Sequence, residues 1–86
     1  MSKLDASILS YDGKDFTRTE TTLMQGGKAA VGTKLDPASP AYKALAAGHS
    51  YSGPMTLFGK NYQVNYAPLI GADGKTTGAL FVGMAK

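Results

Sequence analysis

The sequence predicts a small α+β domain in which five strands form an antiparallel sheet, while one short helix and a loop cross one face of that sheet. Three observations lead to this fold class. Turn signals containing glycine separate segments with strand character. Threonines and alternating aromatic residues favour strands over helices, and one alanine-rich stretch carries start and stop signals for a helix. The predicted order is β-β-α-β-β-β, in which successive hairpins favour antiparallel pairing.

A hairpin is predicted at the start of the chain. Strands are expected over residues 6–11 and 16–24, because the threonines of the second segment suit a pleated sheet. Residues 12–15 form the turn between them, where Gly13 can adopt a positive φ. Residues 25–28 are a further break, and the segment that follows is predicted to be a loop or a short extended piece.

One short helix is predicted in the middle of the chain. Ser39 is a favourable N-cap, and Pro40 suits the first helical position, where its missing N–H has no partner to lose. Residues 41–47 have high helix propensity, and Gly48 is a natural stop. Three apolar side chains are expected to dock on the sheet from one narrow face: Tyr42, Leu45 and Ala46.

Three more strands follow the helix, over residues 51–58, 62–66 and 76–84, with turns at residues 59–61 and 71–75. Residues 62–66 alternate between apolar and amide side chains, so the two tyrosines and the valine should share one face of the strand, and the glutamine and asparagine the other. Pro68, just beyond it, indicates an edge or a bulge, because proline cannot donate a ladder hydrogen bond. The last strand is apolar on both faces, which predicts a central position.

Composition excludes several function classes. The 86 residues form a single predicted domain over 1–86 and contain no cysteine and one histidine. Thiolate chemistry is therefore excluded, and no metal-ligand spacing is visible. His49 is expected at a surface turn, and no nucleophile, base and acid arrangement surrounds it. The net charge is +3, but the nine basic residues are scattered along the chain. Nucleic-acid binding is not expected, since such proteins concentrate positive charge on one face.

Most of the chain resembles the PAS-like core of Cache domains, the extracellular sensor domains of bacterial chemoreceptors and sensor kinases. Each similar segment is weak alone, but their order and spacing are specific: residues 15–18, 31–36, 39–45, 48–53, 57–62, 66–69 and 78–83. The resemblance implies a PAS-like five-stranded antiparallel sheet and a non-catalytic ligand-sensing role, with no cofactor. One departure is clear, because the long N-terminal helix typical of such domains is missing.

The resemblance also implies a ligand, a location and a context. The expected ligand is a small anion such as pyruvate, lactate, propionate or acetate, held between the sheet and the segment that crosses it. The expected location is the periplasmic or extracellular side of an inner-membrane receptor, such as a methyl-accepting chemotaxis protein. No signal peptide or membrane-spanning apolar run is visible, so the targeting and anchor segments are expected in other parts of the parent receptor.

Six residues are predicted to bind the ligand. Arg18 is the first choice as anion anchor, because the planar guanidinium suits a carboxylate. The alternative is a solvated strand residue opposite Glu20 or another acid. Lys60 is either a second cation at the rim of the pocket or an exposed turn lysine. Four tyrosines offer an apolar ring with a polar tip, or else simply pack in the core: Tyr42, Tyr51, Tyr62 and Tyr66.

An alternative function stays open at this point. The chain is then a dimerisation or protein-interaction module with a degenerate pocket. A sheet face without its N-terminal helix would expose apolar surface, and such surfaces attract partners, so a homodimer is one expected form.

Overall fold

The computed structural model describes residues 4–85 and contains seven strands and one helix. In chain order the elements are β1 (Leu4–Tyr11), β2 (Phe16–Thr21), β3 (Met24–Gln25), β4 (Lys28–Ala29), α1 (Pro40–Ala46), β5 (Tyr51–Leu57), β6 (Lys60–Ile70) and β7 (Thr76–Ala85). Five of the strands form one antiparallel sheet in the order β2-β1-β7-β6-β5. The predicted α+β fold class is confirmed.

The first and last strands of the chain lie side by side in the middle of the sheet. β7 pairs with β1 on one side and with β6 on the other, so its predicted central position is confirmed. The β1–β7 contact joins the two ends of the chain, whereas the other sheet pairings are hairpins between consecutive sheet strands. The whole sheet therefore depends on one long-range pairing.

Alternation along β6 separates the two faces of the sheet. Tyr62, Val64 and Tyr66 are buried, and the residues between them are exposed, as predicted. Tyr66 is paired with the first residue of β5, so β6 has only β7 as a neighbour beyond that point. Pro68 lies in this one-sided part of the strand, just before a register shift between Leu69 and Ile70. Its missing N–H is tolerated there because no strand pairs with that side.

The helix begins and ends close to the predicted residues. The Ser39 hydroxyl accepts a hydrogen bond from the backbone N–H of Tyr42 at 3.2 Å, and Pro40 occupies the first turn. Gly48 has φ of +81° and donates to the Leu45 carbonyl at 2.9 Å, which closes the C-terminus. The docking face differs from the prediction, because its fully buried residues are Ala41 and Leu45, four positions apart. A small alanine lets the helix approach the sheet closely, and Ala46 is left exposed.

The connection between β2 and the helix covers the buried face of the sheet. β2 ends at Thr21, earlier than predicted, because the chain leaves the sheet there and places Leu23 in the core. An additional small hairpin, β3–β4, turns at Gly26 and Gly27, both with positive φ. Beyond it the chain turns at Val31 and Gly32 and then follows the free edge of β2, with an isolated bridge between Thr17 and Lys34. The segment is thus mostly loop with a short piece paired to β2, in line with the two alternatives predicted for it.

Candidate ligand-binding site

Arg18 lies on the buried face of β2, and its residue surface is only 2% exposed. Strand alternation points it inward together with Phe16. Its backbone is held by the connection along the free edge of β2, since its N–H donates to the Thr33 carbonyl at 2.9 Å and its carbonyl accepts from the Gly32 N–H at 2.7 Å. The side chain is therefore a buried cation, which excludes the solvated strand residue of the alternative interpretation.

The guanidinium of Arg18 has few partners within the protein. Its one hydrogen bond to residues 4–85 is from Nη1 to the Thr33 hydroxyl, at 3.2 Å. Within the same residues it forms no ion pair with a carboxylate, since the pair found there joins Lys34 and Asp15. A guanidinium has five N–H donors, and a buried charge normally needs a counter-charge. Arg18 can therefore bind an anion through the N–H donors that have no partner among residues 4–85.

Tyr66 brings a second polar group to the same place. It comes from β6 and is fully buried, and its hydroxyl donates no hydrogen bond to any residue in the described part of the chain. Burial raises the pKa of this hydroxyl, while the positive charge of Arg18 and a hydrogen-bonding contact with its side chain lower it. Like any tyrosine hydroxyl near neutral pH, it is protonated and can donate a hydrogen bond.

An open cavity of about 380 Å³ lies beside Arg18. One wall is formed by the connection before α1 and by the first residue of α1: Lys34, Leu35, Asp36, Ser39 and Pro40. The opposite wall is formed by β5 and the first residue of the turn after it: Pro54, Met55, Thr56, Leu57 and Phe58. Such a volume suits a small organic molecule. The ring of Phe58 covers the guanidinium, with its centroid 5.2 Å from the Arg18 Cζ atom. The cavity therefore joins an apolar wall to one buried cation.

Two charged residues stand at the rim of this cavity. Lys34 is exposed and pairs with Asp15, 3.2 Å away, which places a second cation near the entrance. Asp36 also lines the cavity, but one of its carboxylate oxygens accepts from the Ala38 backbone at 2.9 Å, as in an Asx turn. The rim is consequently mixed in charge, whereas the buried end is positive.

Lys60 and Tyr62 lie in a different, smaller groove of about 90 Å³, which also includes Asp5 and Thr22. Asp5 is buried and accepts a hydrogen bond from the Thr22 hydroxyl at 2.8 Å. Burial raises the pKa of Tyr62, and the charge of Asp5 raises it further. The structure does not bring these two predicted ligand residues to the cavity beside Arg18.

The other two predicted tyrosines have partners of their own. The Tyr51 hydroxyl donates to the Pro54 carbonyl at 3.2 Å. The Tyr42 hydroxyl donates to the carbonyl of Lys14, and its ring packs edge-to-face on Phe16. Burial, followed by the proximity of Tyr11, raises the pKa of Tyr42. Of the six predicted residues, the structure places Arg18 on the cavity and the Tyr66 hydroxyl beside its guanidinium, although Tyr66 does not itself line the cavity.

Three residues beside Arg18 were not predicted from the sequence, namely Thr33, Lys34 and Phe58. Thr33 and Lys34 belong to a segment predicted only as loop or extended chain, so nothing local indicated that it lies against β2. Phe58 carried one usable signal. A large aromatic residue directly before Gly59, at the tip of a hairpin, is unusual where asparagine or aspartate is normally favoured.

The chain was compared with known proteins and protein families. A family model described as the Cache 3/Cache 2 fusion domain matches residues 1–86. Neither the curated proteins nor the solved structures gave a match. Within residues 4–85, no helix has the length and apolar character needed to cross a membrane, and no three His, Cys, Asp or Glu side chains are grouped as metal ligands.

Proposed function

The chain belongs to the Cache 3/Cache 2 fusion domain family, and on this premise we propose that it is a sensor of short carboxylates in a bacterial transmembrane receptor. Domains of this family are generally extracellular sensors of small molecules, and the family is non-catalytic. The finer proposal is a periplasmic or extracellular location in an inner-membrane receptor, such as a methyl-accepting chemotaxis protein. The proposed ligands are acetate, propionate, lactate and pyruvate.

One observation carries the choice of an anion. Arg18 is 2% exposed and forms no ion pair among residues 4–85, yet it lies against a cavity. Burying a charge without a counter-charge costs free energy, and a bound carboxylate would supply that counter-charge. The planar guanidinium and a carboxylate match in geometry, which gives two parallel hydrogen bonds. The Tyr66 hydroxyl adds a donor that has no acceptor among these residues.

The rest of the cavity supports a small ligand with a short apolar part. Leu35, Met55 and Phe58 supply an apolar wall close to the cation. A molecule with one carboxylate and one to two further carbon atoms fits that combination. The hydroxyl of lactate would find an acceptor at the rim in the Thr56 hydroxyl oxygen, whose own proton is donated to Asn61.

The mechanism proposed for sensing is a population shift. The two walls of the cavity belong to separate segments, one before and within α1 and the other in β5 and its following turn. A ligand anchored on Arg18 and touching both walls binds best to the arrangement in which they are close together. It therefore raises the population of that arrangement by its differential affinity, and the receptor responds to the change.

A thermal-shift screen tests this function. The protein is heated with acetate, propionate, lactate and pyruvate, and with the matching neutral amides as controls, at fixed pH and ionic strength. At about 100 times its Kd, a ligand adds about 2.7 kcal/mol of stability. For a domain of this size the midpoint should rise by roughly 10–20 °C. The amides should give no shift. Equal shifts with acids and amides, or none with any acid, would refute carboxylate sensing.

A second candidate function is self-association, supported by the sheet face opposite the cavity. There, three cross-strand pairs of β1 and β7 form an apolar patch, which we call the outer patch: Leu4–Met84, Ala6–Val82 and Ile8–Leu80. All six residues are exposed, with Leu4 at 60% and Val82 at 49%. A second copy of the chain is the proposed occupant, because none of the basic residues that the structure describes belongs to this patch, and Glu20, which is paired with Ile8, lies at its edge on β2. Lys3 and Lys86 lie outside the described residues.

A further inference from the structure

Phe58 has an unfavourable backbone conformation for a residue with a bulky side chain. Among residues 4–85 it is the single residue other than glycine with a positive φ, at 50°. Leu57 and Lys60 pair as the last residues of β5 and the first of β6, so Phe58 and Gly59 form a two-residue hairpin turn. Both have positive φ, which defines a type I′ turn, and that turn favours asparagine or aspartate at its first position.

The contacts of the Phe58 side chain explain why an unfavourable residue occupies this turn position. Its ring lies over the guanidinium of Arg18, 5.2 Å from centroid to Cζ, and it also packs against the hydrophobic core. The negative face of an aromatic ring attracts a cation, and the attraction is larger where water is excluded. Phe58 therefore covers Arg18 from the β5–β6 turn, while Thr33 holds one of its nitrogen atoms from the edge of β2.

We propose that Phe58 is a positioning residue for Arg18. The ring orients the guanidinium and excludes water from its face, so that the remaining N–H donors point into the cavity in a less polar environment. Electrostatic attraction strengthens as the effective dielectric falls, so the covered cation binds an anion more tightly than an uncovered one. Ligand affinity thus accounts for the unfavourable residue at this turn position. This inference rests on the proposed function, because the anchored ligand is taken to be a carboxylate.

Three substitutions test this role. Phe58→Leu keeps an apolar side chain but removes the aromatic face, Phe58→Asn provides the residue that the turn favours, and Phe58→Tyr keeps the ring as a rescue control. Calorimetric titration with propionate should show about tenfold weaker binding for Phe58→Leu, the size expected for losing a partly desolvated cation–π contact. Phe58→Asn should bind more weakly still, and Phe58→Tyr should bind like the parent. A merely structural role would lower the unfolding midpoint of Phe58→Leu without weakening its binding of propionate.

A second measurement needs no ligand. Arg18 is the only arginine of the chain, so its Nε–H gives a single arginine side-chain NMR signal. The exchange of that proton with water should be slow in the parent and in Phe58→Tyr, and at least several-fold faster in Phe58→Leu. Unchanged exchange and unchanged propionate affinity in Phe58→Leu would overturn the proposal. If the parent binds no carboxylate but exchange still accelerates, the proposed function fails while Phe58 remains the residue that covers Arg18.

Discussion

The hydroxyl of Tyr66 is buried beside the guanidinium of Arg18, whose charge and side-chain contact lower its pKa, and it donates no hydrogen bond to any of residues 4–85. The two residues come from β6 and β2, which are not neighbours in the sheet, and their polar groups meet above the buried face. The Tyr66 hydroxyl is a donor without an acceptor, and the Arg18 guanidinium is a cation without a carboxylate partner in the described chain. On the proposed function, an anionic ligand that reached both groups would satisfy them.

Removing the Tyr66 hydroxyl should therefore have opposite effects on stability and on binding. A buried polar group without a partner costs about 1–3 kcal/mol, so Tyr66→Phe should raise the free energy of unfolding by about 1 kcal/mol. The same substitution should weaken carboxylate binding by about tenfold, because one donor to the ligand is lost. Thermal unfolding without ligand and calorimetric titration measure the two effects. A lower midpoint together with unchanged affinity would contradict this account.

Replacing Arg18 should abolish carboxylate binding while the fold is retained. A hydrogen bond to a charged group contributes about 1.5–3 kcal/mol, so losing the whole guanidinium should weaken binding by two orders of magnitude or more. Arg18→Lys keeps the charge but loses the planar fork, and it should fall between the parent and Arg18→Ala.

The matched control for Arg18 is Lys43→Ala, which removes the same charge from an exposed position on α1. It should bind like the parent in calorimetric titrations, with circular dichroism confirming that all variants are folded. Binding by Arg18→Ala as tight as that of the parent would show that the anchor lies elsewhere.

Alkaline pH should weaken the fold through its buried tyrosines. The pKa of Tyr66 is raised above the ordinary value of 10.0, mainly by burial, and that of Tyr62 is raised in the same direction. A raised pKa means that the folded state holds the proton more tightly than the unfolded state. This stabilisation is present below pH 10 and is lost as the pH rises through the higher folded-state pKa. Urea unfolding between pH 7 and 11 measures it, and Tyr66→Phe should show a shallower alkaline loss.

Gly78 is required where β7 passes close to β1. A Cβ atom at this position would contact the backbone carbonyl oxygen of Leu9, which cannot move without disturbing the ladder. Gly78→Ala should therefore destabilise the fold by about 1–3 kcal/mol, as expected for overpacking. Ser10→Ala is the matched control, because Ser10 is exposed and directly opposite Gly78. Equal midpoints for Gly78→Ala and the parent would mean that the strands can separate slightly at no cost.

Self-association through the outer patch should respond to a charge at its centre. Val82→Lys puts a cation in place of the Val82 side chain of the Ala6–Val82 pair, so two copies brought together at the outer patch would repel each other. Analytical ultracentrifugation over a range of concentrations should show a dimer for the parent and a monomer for the variant. Val31→Lys is the control, because Val31 is 56% exposed but lies in the connection rather than on this face. A parent that stays monomeric throughout would exclude a second copy as the occupant and favour another segment of the receptor.

The sequence by itself determined the local elements of this protein. Ser39, Pro40 and Gly48 set the ends of α1 through hydrogen bonds that span only a few residues. The alternation of residues 62–66 determined which side chains of β6 are buried, because successive side chains of a strand point to opposite faces. The family resemblance was also visible from the chain alone, and the family match confirms it.

Only the tertiary structure decided which of these elements meet. The pairing of β1 with β7, the placement of Thr33 against Arg18 and the approach of Phe58 all join segments far apart in the sequence. Their geometry depends on the packing of the entire domain, which no local pattern encodes. For the same reason the sequence could not show which of the six predicted ligand residues lie together. Arg18 and Tyr66 converge because both point to the buried face of the sheet, whereas the hydroxyls of Tyr42 and Tyr51 donate to carbonyls of the chain itself.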